Sequence, residues 1–210
     1  CSTGSGKSTL VNLIPRFYDV CDGSIKIDGV DLRDMKQSDL HDKIGYIPQK
    51  GVLFSGTIAS NLTYGKPEAS QKELEEAASI AQAKDFILEK EGGYDYLIAQ
   101  GATNVSGGQK QRLSIARALV KKPDIYIFDD SFSALDFKTD SALRKAIHEK
   151  LSDATVLIVG QRVSTIMSAD QIVVLENGSI AGIGTHRDLL KNCPVYYEIA
   201  ASQLTKEELA

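Results

Sequence analysis

Short apolar runs of β character recur at 24–27, 43–48, 125–128, 155–159, 172–176 and 179–183, most of them rich in Ile, Val, Tyr or Phe. Between them the apolar spacing lengthens to that of a helix, which predicts helices over 10–14, 72–83 and 109–120. A last apolar-periodic helix is expected from 195, running into a polar tail that carries Glu207 and Glu208. Pro15 is expected to end the first helix, because its ring clashes with a preceding carbonyl and it has no N–H to donate. Asp28-Gly29 and Asn177-Gly178 both have the form of two-residue hairpin turns. The pattern is therefore α/β, a mostly parallel sheet flanked by antiparallel pieces. From 51 to 119 the strand signal disappears, so this stretch is expected to form an all-helical subdomain inserted into a single core made of 1–50 and 120–210.

Three segments carry recognisable chemistry. Cys1-Ser2-Thr3-Gly4-Ser5-Gly6-Lys7-Ser8 has the form of a phosphate-binding loop, with Cys1 where the pattern has its first glycine. Gly4 and Gly6 let successive N–H groups turn toward a phosphate, Lys7 reaches the terminal phosphate oxygens, and the Ser8 hydroxyl suits magnesium. Thr3, Ser5 and Thr9 complete the cradle at a helix start whose dipole favours the same anion. Asp124-Ile125-Tyr126-Ile127-Phe128-Asp129-Asp130 is an apolar strand ending in two acids, and such a strand delivers Asp129 to a magnesium shell. Ser106-Gly107-Gly108-Gln109 opens a helix rich in Lys110, Gln111 and Arg112, and its serine and N–H groups form a second phosphate cradle. One chain has little use for two cradles on one nucleotide, so the second points to a neighbour's.

Composition narrows the partners. The chain has 210 residues, 42% hydrophobic and 25% charged, enough to bury a substantial core. A net charge of −4 and the lack of a basic stripe leave no electrostatic footprint for nucleic acid. Cys1, Cys21 and Cys193 have no metal spacing and form no disulfide framework, which suits a reducing compartment. No run approaches the roughly 20 apolar residues that span a bilayer. The chain starts inside the phosphate loop without the strand that should precede it, and so reads as a fragment of a longer polypeptide.

Taken in order, the phosphate loop, Tyr46-Ile47-Pro48-Gln49, residues 105–109, the acidic strand end and Ser133-Ala134-Leu135-Asp136 resemble the nucleotide-binding domain of an ATP-binding-cassette transporter over essentially the whole chain. The resemblance implies a RecA-like P-loop NTPase core. It also implies two such domains closing head to tail on two ATP molecules, each with Mg2+, one domain supplying the phosphate loop and the other the signature at 105–109. Gln49 is then the residue near magnesium and the attacking water. Leu53-Phe54-Ser55-Gly56-Thr57-Ile58, with Asn61-Leu62 and Tyr64-Gly65, is similar to the multidrug and lipid exporter branch, where this surface meets transmembrane domains. The lesser alternative for Phe54 and Leu62 is plain core packing. Gly184-Thr185-His186-Arg187-Asp188-Leu189-Leu190 fits the same family without visible chemistry. The domain would sit at the cytoplasmic face of the membrane.

Two positions depart from the family. Asp130 stands where a glutamate usually polarises the attacking water, and withdraws the carboxylate by roughly 1 Å, enough to cost on the order of a hundredfold. Gln161 stands where a switch histidine is expected, and it donates an amide hydrogen bond without ionising. His41, His148 and His186 lie outside that motif and are expected at the surface. Together the departures resemble the degenerate subunit of a heterodimeric bacterial exporter, with Asp130, Gln161 and Gln49 at a slow site. A homodimeric exporter with two working sites and a soluble cassette ATPase without transport both stay open.

Overall fold

The computed structural model describes residues 6–205, 207 and 209. The elements run α1 Lys7–Asn12, β1 Lys26–Ile27, β2 Val30–Asp31, α2 Gln37–Lys43, β3 Ile44–Ile47, β4 Gly56–Thr57, α3 Ile58–Leu62, α4 Gln71–Ile80, α5 Lys84–Leu88, β5 Leu97–Ile98, α6 Gly107–Lys121 and β6 Ile125–Asp129. They continue through α7 Phe137–Lys150, β7 Thr155–Val159, α8 Val163–Ile166, β8 Ile172–Glu176, β9 Ser179–Gly184, α9 His186–Asn192 and α10 Pro194–Ala201. Two compact units divide them, Lys26–Leu157 and the remainder.

In the unit Lys26–Leu157, β6 owes its form to the run Ile-Tyr-Ile-Phe, whose branched and aromatic side chains suit a pleated surface covered on both faces. Tyr126, Ile127, Phe128 and Asp129 are all buried. β3 runs parallel to it, with Ile44 opposite Ile125 and Ile47 opposite Phe128, in a sheet of order β3-β6-β7. Because the strands are parallel, 48–49 and 129–130 leave the sheet at one edge. The fully buried Ser131 hydroxyl donates to the Ile47 carbonyl at 2.8 Å and ties the two exits together.

Helices α3 and α4 pack on α6, in which Leu113, Ile115 and Leu119 are buried. Fully burying each such side chain contributes about 1.5–3 kcal/mol. The stretch 51–119 is not wholly helical: β4 and β5 form a two-residue antiparallel pair, too short to leave an alternating pattern in the sequence. The exporter-like segment divides, since Leu62 is fully buried and Phe54 is 45% exposed. Asp28-Gly29 closes β1 onto β2 with both residues at positive φ, as a primed two-residue turn requires.

In the other unit, Val163, Ile172, Val174, Leu189, Cys193, Tyr196 and Ala200 form the core under the β8–β9 hairpin, which turns at Asn177-Gly178. α1 ends at Asn12, before Pro15, and α10 ends at Ala201. Among the histidines only His148 is exposed; His41 is half-buried, and His186 is half-buried with its Nδ1 2.7 Å from the Tyr196 hydroxyl. That partner offsets the cost of drawing an imidazole from water.

Candidate functional site

At the shared edge of β3 and β6, two side-chain pairs form. The Tyr46 hydroxyl donates to Asp129 Oδ2 at 3.0 Å, and Gln49 Nε2 donates to Asp130 Oδ2 at 2.9 Å. Burial first, and then the Asp129 charge, push the Tyr46 phenol well above its usual range, so it stays protonated as a donor. Asp129 is only 7% exposed. Asp130 is held at φ 48, a left-handed backbone in which only a few residue types are common. Its carbonyl accepts from the Ser133 hydroxyl at 2.8 Å.

Residues 106–109 lie at the start of α6. Ser106 Oγ accepts from the Gln109 N–H at 3.2 Å, and Gln109 Oε1 accepts from the Ser106 N–H at 3.1 Å. This reciprocal cap leaves the Gly107 and Gly108 amides at the helix mouth with no acceptor in their own helix. A β-carbon at Gly107 would meet nothing within 4 Å, so the approach is open. The helix's cations are engaged elsewhere. Lys110 Nζ donates to the Gly101 carbonyl at 3.3 Å, and Arg112 donates to the Gln82 carbonyl while lying 4.6 Å from the Phe86 ring centre. Gln111, which the sequence showed only as one polar residue among several, is 1% exposed and clasps the loop that carries Gln49. Its signal is positional, since it shares a helix face with buried Ile115 and Leu119. Asp136, at the end of the 133–136 motif, caps α7 by accepting from the Thr139 N–H at 3.0 Å and its hydroxyl at 2.7 Å.

In the other unit, Gly6 precedes α1 at φ 89, and Lys7, Ser8 and Thr9 form the first turn. Thr3, Gly4 and Ser5 lie outside the described residues. Gln161 lies between β7 and α8; its carbonyl accepts from Gln203 Nε2 at 3.0 Å, and Gln203 Oε1 accepts from the Val163 N–H at 2.8 Å. Among the described residues no three His, Cys, Asp or Glu side chains gather as a metal cluster. What the edge offers is hard oxygen, an Asp129 carboxylate and the Gln49 amide oxygen, whose nitrogen is committed to Asp130. That set fits Mg2+, which keeps several waters and takes one or two protein oxygens together with phosphate.

A parallel strand edge ending in paired acids, together with a helix opened by a serine capping box, is the form of an α/β domain of the phosphate-loop class. The ABC transporter family matches residues 2–133, and the chain belongs to that family. It is similar to an uncharacterized ABC transporter ATP-binding protein of Mycobacterium tuberculosis, 49% identical over 205 residues, covering 96% of this chain and 35% of that one. A Staphylococcus aureus protein with a provisional multidrug export ATP-binding/permease name is 46% identical over 201 residues, again covering 96% and 35%. Among solved structures, a bacterial Atm1-family ABC exporter with ATP bound superposes with a TM-score of 0.93 at 40% identity, covering 98% of this chain and 36% of that one. The chain thus spans about a third of the length of these relatives. It is an ATPase domain of this family. No helix among the described residues is long and apolar enough to cross a membrane.

Proposed function

We propose that this chain binds and hydrolyses ATP to power export through a membrane transporter, as one of two nucleotide-binding domains that close on two ATP molecules. The observation that carries the reading is the pair of contacts Tyr46–Asp129 and Gln49–Asp130 at one strand edge. In this reading Thr3, Gly4, Ser5, Gly6, Lys7, Ser8 and Thr9 cradle the phosphates of this chain's own ATP. Ser8, Gln49 and Asp129 hold Mg2+, which when bound neutralises charge on the phosphate oxygens. Asp130 orients the attacking water and accepts its proton, and the Gln161 amide donates to the γ-phosphate. The open helix mouth at Ser106, Gly107, Gly108 and Gln109 serves the ATP of the partner domain. Residues 51–119 act as the signature subdomain on the core. The exposed, stacked Phe54 and Tyr64 rings, 4.7 Å apart, suit a surface that meets transmembrane domains at the cytoplasmic face of the membrane.

The reading is asymmetric. Asp130 is one methylene shorter than glutamate, and Gln161 replaces an ionisable ring with a neutral amide, so this chain's own site turns over slowly and the partner's supplies most hydrolysis. ATPase assays of the assembled full-length transporter test this. Ser106→Arg, which fills the helix mouth with a bulky cation, is expected to abolish most turnover, and Lys7→Ala to lower it far less; the opposite ranking overturns the asymmetry. Asp130→Glu combined with Gln161→His is expected to raise hydrolysis at this chain's own site by about tenfold or more.

One observation favours a second reading, a homodimer with two working sites: the Gln49 amide already fixes one Asp130 oxygen at 2.9 Å. Robust ATPase from the full-length protein purified without any other subunit would select it.

A further inference from the structure

Gln111 is a nearly fully buried polar side chain on a helix whose other buried residues are apolar except for Ser114. Both ends of its amide are used, and both on backbone. Oε1 accepts from the Gly51 N–H at 2.7 Å, and Nε2 donates to the Pro48 carbonyl at 3.0 Å. The reverse orientation would set two donors and two acceptors face to face, so the polarity of the amide is fixed. The two backbone groups flank Gln49 and Lys50, and Gln49 in turn donates to Asp130. Loop and helix are in close contact here, because a β-carbon on Gly51 would fall 2.8 Å from the Lys110 carbonyl oxygen. Gln111 also lies one turn past the Ser106 cap, on the same helix.

We infer that Gln111 is a positioning residue that fastens the 48–51 loop to the signature helix, so that the Gln49–Asp130 pair and the Ser106 cradle move as one piece. The inference rests on the ATPase reading above for its consequence, not for its geometry. An apolar side chain of the same length would leave the Gly51 N–H and the Pro48 carbonyl without protein partners. The loop would then loosen around Gln49 and leave the reacting groups intact but displaced. Misplacement of that kind costs rate more than affinity.

The test uses the full-length transporter with Gln111→Met, Gln49→Ala and the pair combined. Three readouts apply: hydrogen exchange of the Gly51 amide, ATP affinity, and single-turnover conversion of ATP to ADP on this chain, followed with a photoreactive azido analogue that marks it. Gln111→Met is expected to release the Gly51 amide to fast exchange while protection in the middle of α6 persists. It should also slow conversion about ten- to hundredfold with affinity within about twofold. The double variant should be no slower than Gln49→Ala, because Gln111 acts through Gln49. Undiminished Gly51 protection, unchanged conversion, or additive losses overturn the proposal. If Gln111→Met does not fold, Gln111→Glu decides, since it keeps an acceptor for Gly51 and sets another against the Pro48 carbonyl. Wild-type conversion in that variant also overturns it. Absence of any ATP conversion on the wild-type chain would count against the ATPase reading alone, because Gly51 exchange still reports on the clasp.

Discussion

Two buried polar side chains show how differently single residues are settled. Asn61, 1% exposed, uses its whole amide: Oδ1 accepts from the Phe54 N–H at 2.8 Å and from Arg117 at 2.9 Å, and Nδ2 donates to the Phe54 and Thr57 carbonyls at 2.9 and 3.0 Å. Asn61→Leu would strand these partners, including a guanidinium that burial already disfavours, and is expected to cost about 3 kcal/mol in a urea unfolding titration. The Tyr94 hydroxyl is buried with no hydrogen-bond partner among the described residues. Burial, and secondarily the Glu75 charge, push its pKa to about 12. Removing an unsatisfied group recovers its desolvation cost, so Tyr94→Phe should raise stability by about 1 kcal/mol, seen as a higher thermal midpoint.

Among elements, α4 carries a cap that responds to pH. Ser70 and Glu73 form its capping box, and Glu73 also meets Lys66 at 2.7 Å and Lys122 at 3.4 Å. The Lys66 hydrogen bond first, then those from Ser70, lower the Glu73 pKa from 4.5 to about 2. A carboxyl depressed on folding adds stability above its unfolded pKa and loses it as pH falls through the folded value. The thermal midpoint should therefore drop as pH falls from about 4.5 to about 2, and Glu73→Gln should start lower and lose less across that window. The elements easiest to read from sequence were β6, α6 and the two hairpins, where one local signal suffices: an unbroken apolar run, a serine followed three residues later by glutamine, or Asp-Gly and Asn-Gly at a turn. β4 and β5 had no such signal, because two residues cannot alternate. The Gln111 clasp was illegible for another reason: its partners are backbone groups 60 and 63 residues away, which carry no side-chain signature.

For the whole molecule, the sequence reading of an ATP-binding-cassette domain agrees with the family match and with the fold of the exporter it resembles. Lys7, Ser8 and Gln161 belong to one compact unit, and Gln49, Asp129, Asp130 and Ser106 to the other. The left-handed backbone at Asp130 bears on how that site could change. Aspartate is among the few side chains that adopt this conformation readily, and longer ones carry more of its strain, on the order of 1 kcal/mol. Under the proposed reading, lengthening Asp130 to reach the water would thus trade folding stability for catalytic power.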